Sequence, residues 1–265
     1  MKVLITNDDG IDSEGLKVAE SIALELAKKK EDIYVVAPSE EQSGSGHGLI
    51  SYQRSVKLKK VSRNRYKVNG TPADCVLAGL TQIMGDEKPS LLLSGVNKGR
   101  NVSEAILYSG TVGGAMEGSL HMVKSIALSQ SYSTNTLNSK NLYKWSIEQG
   151  SKICETLLKI PDWDQKAKNL FFNINFPSAD ALNGDQFKVC NIQHNQFNPF
   201  RLEKIGDSKS EFKTIYDSHQ SNKTIYPGDS TFLSNGFTTI TPINPDMTHY
   251  EMLMSTKGTV NERKD

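Results

Sequence analysis

Cysteine, long apolar runs and net charge are all scarce in this chain of 265 residues, and each scarcity argues against a class of function. The three cysteines, Cys75, Cys154 and Cys190, are odd in number, far apart and never spaced as C-x-x-C. That pattern argues against a disulfide-stapled secreted domain and a thiolate zinc site, and suits reduced thiols in the cytoplasm. No stretch approaches the roughly 18 apolar residues of a membrane span, and the few residues ahead of position 8 are too short for a signal-peptide apolar region. A cytoplasmic protein with no membrane partner is expected. Lys and Arg number 31 against 30 Asp and Glu, a net charge of +1, so no global field gathers nucleic acid or anionic lipid. Any anion recognition must be local.

What is present is ordinary globular material, 37% apolar and 23% charged, long enough for one large domain or a domain with an appended subdomain. Through the first half, short β-branched runs alternate with helical patterns. VLIT (3–6) precedes GLKVAESIALELAKKK (15–30), DIYVVAP (32–38) comes after it, and SLLLSGV (90–96) leads into a helical pattern over 110–123 and SIALSQ (125–130). This alternation predicts an α/β fold, a Rossmann-like parallel sheet flanked by helices. Leu16, Ala19, Ile22, Ala23 and Leu26 recur at helical spacing and mark a packing face.

Between 49 and 68 the pattern changes to alternating apolar and basic residues, which reads as a β-hairpin projecting from the parallel sheet. Its Lys57, Lys59, Lys60, Arg63 and Arg65 resemble a nucleic-acid patch, but a solvated strand face has the same composition and is the commoner cause. Thr71, Pro72 and Asp74 predict a helix start: an N-cap, a first-turn proline and a first-turn acid. A longer helix is predicted within 141–160 and strands within 169–177 and 236–243. The resulting division is an α/β core over 1–180, a hairpin and arm region with a closing strand over 181–255, and a disordered tail over 256–265.

The strands of such a sheet point their carboxyl ends at one edge, where ligands bind. After the first comes Asn7-Asp8-Asp9-Gly10, after the second a loop running through Ser43 to His47, and after SLLLSGV come Asn97-Lys98-Gly99. Two adjacent carboxylates stay ionised together cheaply only beside a cation. Oxygen donors without Cys or paired His select a hard ion, magnesium or manganese. The competing explanation is that Asp8 and Asp9 cap the adjoining helix. The segment Tyr108-Ser109-Gly110-Thr111-Val112-Gly113-Gly114 opens a helix with small residues, and its free N–H groups suit phosphate. GSGHG (44–48) lacks the spacing of a dinucleotide loop and leads into a strand, so no NAD site is expected. His47 divides evenly between a general acid or phosphate contact and a structural hydrogen-bonder.

LITNDDGIDSEG, VVAPSEEQSGSGHG, GTPADCV, SGVNKGRN and YSGTVGGAMEG together resemble, in order and spacing, the SurE family of metal-dependent 5′-nucleotidases, also called stationary-phase survival proteins. The resemblance implies one Mn²⁺ or Mg²⁺ per subunit, bound by Asp8, Asp9, Ser43 and Asn97. It further implies that Ser109, Gly110 and Thr111 surround the phosphate, with Asn7 adjoining the metal pair. Hydrolysis of nucleoside 5′-monophosphates is implied, with 3′-monophosphates and short polyphosphate as further substrates, in a homodimer or homotetramer built through C-terminal arms. The match is close over the first half and looser beyond it, where 191–206 is poorer in arginine than the family's corresponding stretch. No stable nucleic-acid partner is expected.

The expected chemistry is attack by a metal-activated water, with Asp8, Asp9 and Asn97 as the catalytic set. No Cys-His or Ser-His-Asp nucleophile is assignable. A phospho-receiver module also places acids after its first strand, but needs a later acceptor aspartate where this chain has Ser43 and Asn97. Haloacid-dehalogenase-type phosphatases use D-x-D, whereas the acids here are contiguous. The alternative retained is a catalytically silent nucleotide- or phosphate-binding regulatory protein.

Overall fold

The computed structural model describes residues 1–163, 169–195, 200–206, 210–216 and 226–261. β1 (Val3–Thr6) is succeeded by α1 (Glu14–Ala27), β2 (Ile33–Pro38), the hairpin strands β3 (Leu58–Ser62) and β4 (Arg65–Val68), and α2 (Pro72–Ala78). Next come β5 (Leu91–Lys98), α3 (Gly110–Leu120), β6 (Ser125–Gln130), α4 (Lys144–Leu158) and β7 (Phe171–Phe176). Beyond these lie β8 (Phe187–Val189), β9 (Phe200–Lys204), β10 (Phe212–Tyr216), α5 (Asp229–Ser234), β11 (Thr238–Ile243) and α6 (Tyr250–Asn261).

Nine strands form one sheet in the order β3-β4-β2-β1-β5-β6-β7-β11-β8. From β4 to β7 every neighbouring pair is parallel, while β3 and β11 run antiparallel to β4 and β7. The chain leaves β1 toward β2 on one side, then returns to β5 on the other. β1 therefore sits at the point where strand order reverses, and the crevice beyond the strand ends opens there.

Both faces of the sheet are covered, which is why its strands read as continuous apolar runs. Side chains alternate along β1: Val3 and Ile5 join the core shared with α1 and α4, while Leu4 joins Val36, Cys75, Val76 and Leu92 beneath α2. Burying each of these β1 side chains contributes about 1.5–3 kcal/mol, so a slip of one residue that exchanged the two faces is strongly disfavoured. Gly15 lets α1 approach β5 closely, because a Cβ there would lie 1.9 Å from the Val96 carbonyl oxygen.

The hairpin of β3 and β4 is stitched to the sheet through β4, with Val35 in register with Arg65, and so extends the β2 edge. The predicted cap at Thr71 is present as a reciprocal capping box with Asp74. Within 181–255, α5 and β11 complete the core, β11 by pairing Ile240 with Ile174 of β7, and β8 adds an exposed edge strand beside β11. β9 and β10 form a separate two-stranded sheet.

Of the tail from 256, residues up to Asn261 form the end of α6, and 262–265 lie outside the described residues. Glu251, Met252, Leu253, Met254 and Lys257 favour helix, and His249 Nδ1 accepts the Met252 N–H at 3.2 Å in the opening turn. Parts of the expected arm, at 196–199, 207–209 and 217–225, also lie outside the described residues. Among the described residues no helix is long and apolar enough to cross a membrane.

Candidate metal and phosphate site

Asn7, Asp8 and Asp9 come directly after β1 at the reversal point. The cap of α1 is not drawn from this pair. Ser13 Oγ accepts the Leu16 N–H at 3.3 Å, and Asn7 Nδ2 donates to Ser13 Oγ at 2.8 Å and to Gly10 O at 2.9 Å. Capping is thereby removed as the reason for two adjacent acids.

Each acid instead gathers a different loop. The Asp8 carbonyl accepts the Gln42 N–H at 2.7 Å, one residue from Ser43. The Asp9 carboxylate accepts the Lys98 N–H at 3.1 Å, one residue from Asn97. The Asp8 carboxylate accepts the Thr111 N–H at 3.0 Å and the Thr111 hydroxyl at 2.6 Å. Asp8, Asp9, Ser43, Asn97 and the Ser109–Thr111 turn are thus drawn to one rim. Gly110 permits the closest approach, since a Cβ there would lie 2.9 Å from Asp8 Cβ and 2.7 Å from Ser45 Oγ.

The electrostatics of the pair are unfavourable as they stand. Burial raises the Asp8 carboxyl above its usual range despite the two bonds from Thr111. Burial, and then the charge of Asp8, push Asp9 up to about 6, with the Lys98 N–H opposing. Glu41 adds a third negative charge that raises both. A cation among these oxygens would reverse the shift and ionise both acids.

The donor chemistry fits a hard divalent ion. Asn97 Nδ2 donates to Gly99 O at 3.0 Å, which leaves its oxygen for a cation, and the Ser43 hydroxyl donates to Glu41 at 2.8 Å and keeps lone pairs. Asn7 Oδ1 and Ser45 Oγ are buried polar atoms with no hydrogen-bond partner, and Asn7 adjoins the acids while Ser45 faces Gly110. Such atoms are costly unless a ligand or water satisfies them. Exposure rises from buried Asp8 to exposed Ser43, so the rim is open on the side of the β2 loop. Among the described residues no three His, Cys, Asp or Glu side chains form a metal-binding group, in keeping with a donor set that is half hydroxyl and amide.

The helix terminus at Ser109–Thr111 also makes bonds within the chain. Ser109 Oγ accepts the Val112 N–H at 3.1 Å as the N-cap of α3, and Thr111 is bonded to Asp8. An anionic side chain thus already lies against the positive end of α3. His47 is bonded through Nε2 to Glu117 at 2.6 Å, a contact hidden from the sequence because 70 residues separate the partners. Glu41 was visible only as one acid in a polar loop, and Ser45 carried no signal beyond its place between glycines.

A cavity of about 750 Å³ lies elsewhere, between α1 and the β3–β4 turn, where Glu20 and Arg65 are paired and Lys17, Lys30 and Arg63 stand nearby. It holds none of the converging donors. The chemistry is concentrated on an open rim.

Fold and rim together define an α/β protein that gathers carboxylate, hydroxyl and amide oxygens at the switch point of its sheet. Residues 3–199 match the family described as Survival protein SurE. The chain is 39% identical over 254 residues to "5'-nucleotidase SurE" of Cereibacter sphaeroides, covering 96% of this chain and 97% of that one. It is 35% identical over 261 residues to the protein of the same name from Ruegeria pomeroyi, covering 98% and 100%. The crystal structure of the SurE protein from Aquifex aeolicus matches with a TM-score of 0.74 at 30% identity, covering 98% of this chain and 99% of that one. The chain belongs to the SurE family.

Proposed function

We propose that the chain is a 5′-nucleotidase, a metal-dependent phosphomonoesterase that converts nucleoside 5′-monophosphates to nucleoside and phosphate, using one Mn²⁺ or Mg²⁺ per subunit. The observation that carries this reading is an acidic pair that does not cap the helix following it, has no basic side chain bonded to it among the described residues, and gathers donors from the turn after β2, the end of β5 and the start of α3. The names of the relatives support the substrate class.

Asp8 and Asp9 supply the formal charge that holds the ion, and Ser43 and Asn97 the neutral donors. When bound, the ion lowers the pKa of a coordinated water and polarises a phosphoryl oxygen. Ser109 and Gly110 place the positive end of α3 against the phosphate, while Thr111 fixes the Asp8 carboxylate between them. Asn7 ties the acidic turn to the start of α1, and its buried oxygen has no hydrogen-bond partner. Direct attack by water is favoured over a cysteine intermediate, because burial pushes the Cys75 thiol far up and the Cys154 thiol to about 12. The three unpaired thiols also support a reducing, cytoplasmic setting.

A homodimer or homotetramer is the assembly this reading favours. Val189, Leu202, Met252 and Met254 expose large apolar side chains on β8, β9 and α6, outside the main core. The decisive experiment is phosphate release from a panel of nucleoside 5′- and 3′-monophosphates and short polyphosphate under one Mn²⁺ concentration, with EDTA and Mg²⁺ arms. Release from 5′-monophosphates, lost in EDTA and restored by metal, is expected. Nucleotide binding with no metal-dependent release would instead establish the silent binding protein.

A further inference from the structure

Glu117 is a buried carboxylate that the proposed hydrolysis does not use. It lies on α3, with Oε2 2.6 Å from His47 Nε2 and Oε1 3.0 Å from His121 Nε2. Burial alone would raise its pKa, but the hydrogen bond and charge of His47, and after them those of His121, hold it below the usual range. A buried anion with two imidazole partners is costly to disrupt from either side.

The two histidines belong to different parts of the molecule. His121 is the C-cap residue of the helix that carries Glu117, so that contact is local. His47 closes the loop that starts at Ser39 and carries Ser43. The same loop is held at Gln42 by the Asp8 carbonyl and at Gly46, whose N–H donates to Tyr108 O at 3.0 Å. It lies flat on α3, where a Cβ at Gly113 would come 2.2 Å from Gly46 O and 3.0 Å from His47 Cα. Ser43 itself is exposed, and its described side-chain bond reaches only Glu41, two residues away. The loop's side-chain link to α3 is therefore His47, four residues from Ser43.

We propose that Glu117 and His47 form a positioning pair that holds the 39–48 loop on α3 and so sets Ser43 at its distance from Asp8 and Asp9. This rests on the proposed metal site. His47 acts through the loop and is a positioning residue. His121 completes the second oxygen of Glu117 without touching the loop, which makes it the natural control.

The test is Mn²⁺ binding to the full chain, read from the electron paramagnetic resonance signal of the free ion, with thermal unfolding as a check on folding. His47→Ala and Glu117→Ala are each expected to weaken Mn²⁺ binding by about tenfold, the low end for partners outside the ligand shell. The double variant should be no weaker than either single one, because both remove the same link. His47→Asn, which keeps a side-chain N–H donor, should recover part of the affinity, and His121→Ala should stay within about twofold of wild type, the residual scatter expected of an uncoupled site. Wild-type affinity in folded His47→Ala would overturn the proposal, as would an equal loss in His121→Ala. If Asp9→Asn also binds Mn²⁺ as tightly as wild type, the metal site itself is misplaced and both readings fall. If Asp9→Asn fails to bind while His47→Ala binds normally, only the positioning role is lost.

Discussion

Asp9 is placed where folding and ion binding make opposite demands. Its carboxyl is raised from the ordinary 3.8 to about 6 by burial and by Asp8, so the folded chain holds that proton more tightly than the unfolded chain does. Between those two values the stability associated with Asp9 falls as pH rises, and above about 6 the full penalty is present. In EDTA, the wild type should therefore lose more thermal stability than Asp9→Asn on going from pH 5 to pH 7.5, and added Mn²⁺ should restore more at pH 7.5. Scanning calorimetry of both proteins checks this, and equal pH slopes would show that Asp9 carries no such penalty. The same Asp9→Asn change is expected to lower kcat/KM on a nucleoside monophosphate by on the order of a hundredfold or more while the fold survives, because it removes one of two charges opposing the ion. Folded Asp9→Asn with near wild-type turnover would move the site elsewhere.

Asp74 shows the opposite case, a buried acid with a purely structural task. Burial works to raise it, but donors from Ser51 and Thr71 outweigh that and hold it below the usual range. Besides its capping contacts with Thr71, it accepts the Ile50 and Ser51 N–H groups at 3.1 Å each. Asp74→Ala should cost about 3 kcal/mol in urea unfolding, combining a lost cap with two orphaned donors. The stability Asp74 adds is present above the unfolded-state value of 3.8 and disappears as pH falls through its lower folded-state value.

At the scale of elements, the site depends on how closely the 39–48 loop can lie on α3. Gly113 sits in the first half of that helix, and a methyl group there would meet the Gly46 carbonyl at 2.2 Å, a backbone atom that cannot swing aside as a side chain could. Gly113→Ala is expected to lift the loop, costing about 1–3 kcal/mol in stability and weakening activation by Mn²⁺ more than nucleotide affinity. Metal titrations of turnover distinguish this from a uniform loss, since unchanged half-activation would mean that the loop tolerates the shift. Sequence patterning placed a helix over 110–123, against the observed 110–120, and read its small opening residues as a phosphate turn. Packing against the loop accounts for Gly113, and approach to Asp8 accounts for Gly110.

At the scale of the whole molecule, the sheet is complete by Ile243, and α6 beyond it is an exposed helix whose Met252, Met254 and Val260 face solvent in the single chain. Truncation after Ile243 should leave a folded core and shift the sedimentation coefficient toward that of a monomer. An unchanged assembly would assign subunit contacts to β8 or to the β9–β10 hairpin instead.

The order of strands and helices as far as β7, the N-cap at Thr71 and the three oxygen-rich strand ends are encoded locally, in apolar periodicity and in residue types next to one another, and were legible from the chain alone. Ser13 as the cap of α1, Thr111 on Asp8 and His47 on Glu117 were not. The last two pairings join residues 103 and 70 positions apart and exist only because parallel strands bring their carboxyl ends to a common edge, whereas the Ser13 cap is local, to Leu16 three residues on. Sequence alone determined which oxygen donors the strand ends offer to the proposed ion. The packing of α1, α3 and the 39–48 loop decided which of them are left free to do so, because each buried polar group must find a partner within reach.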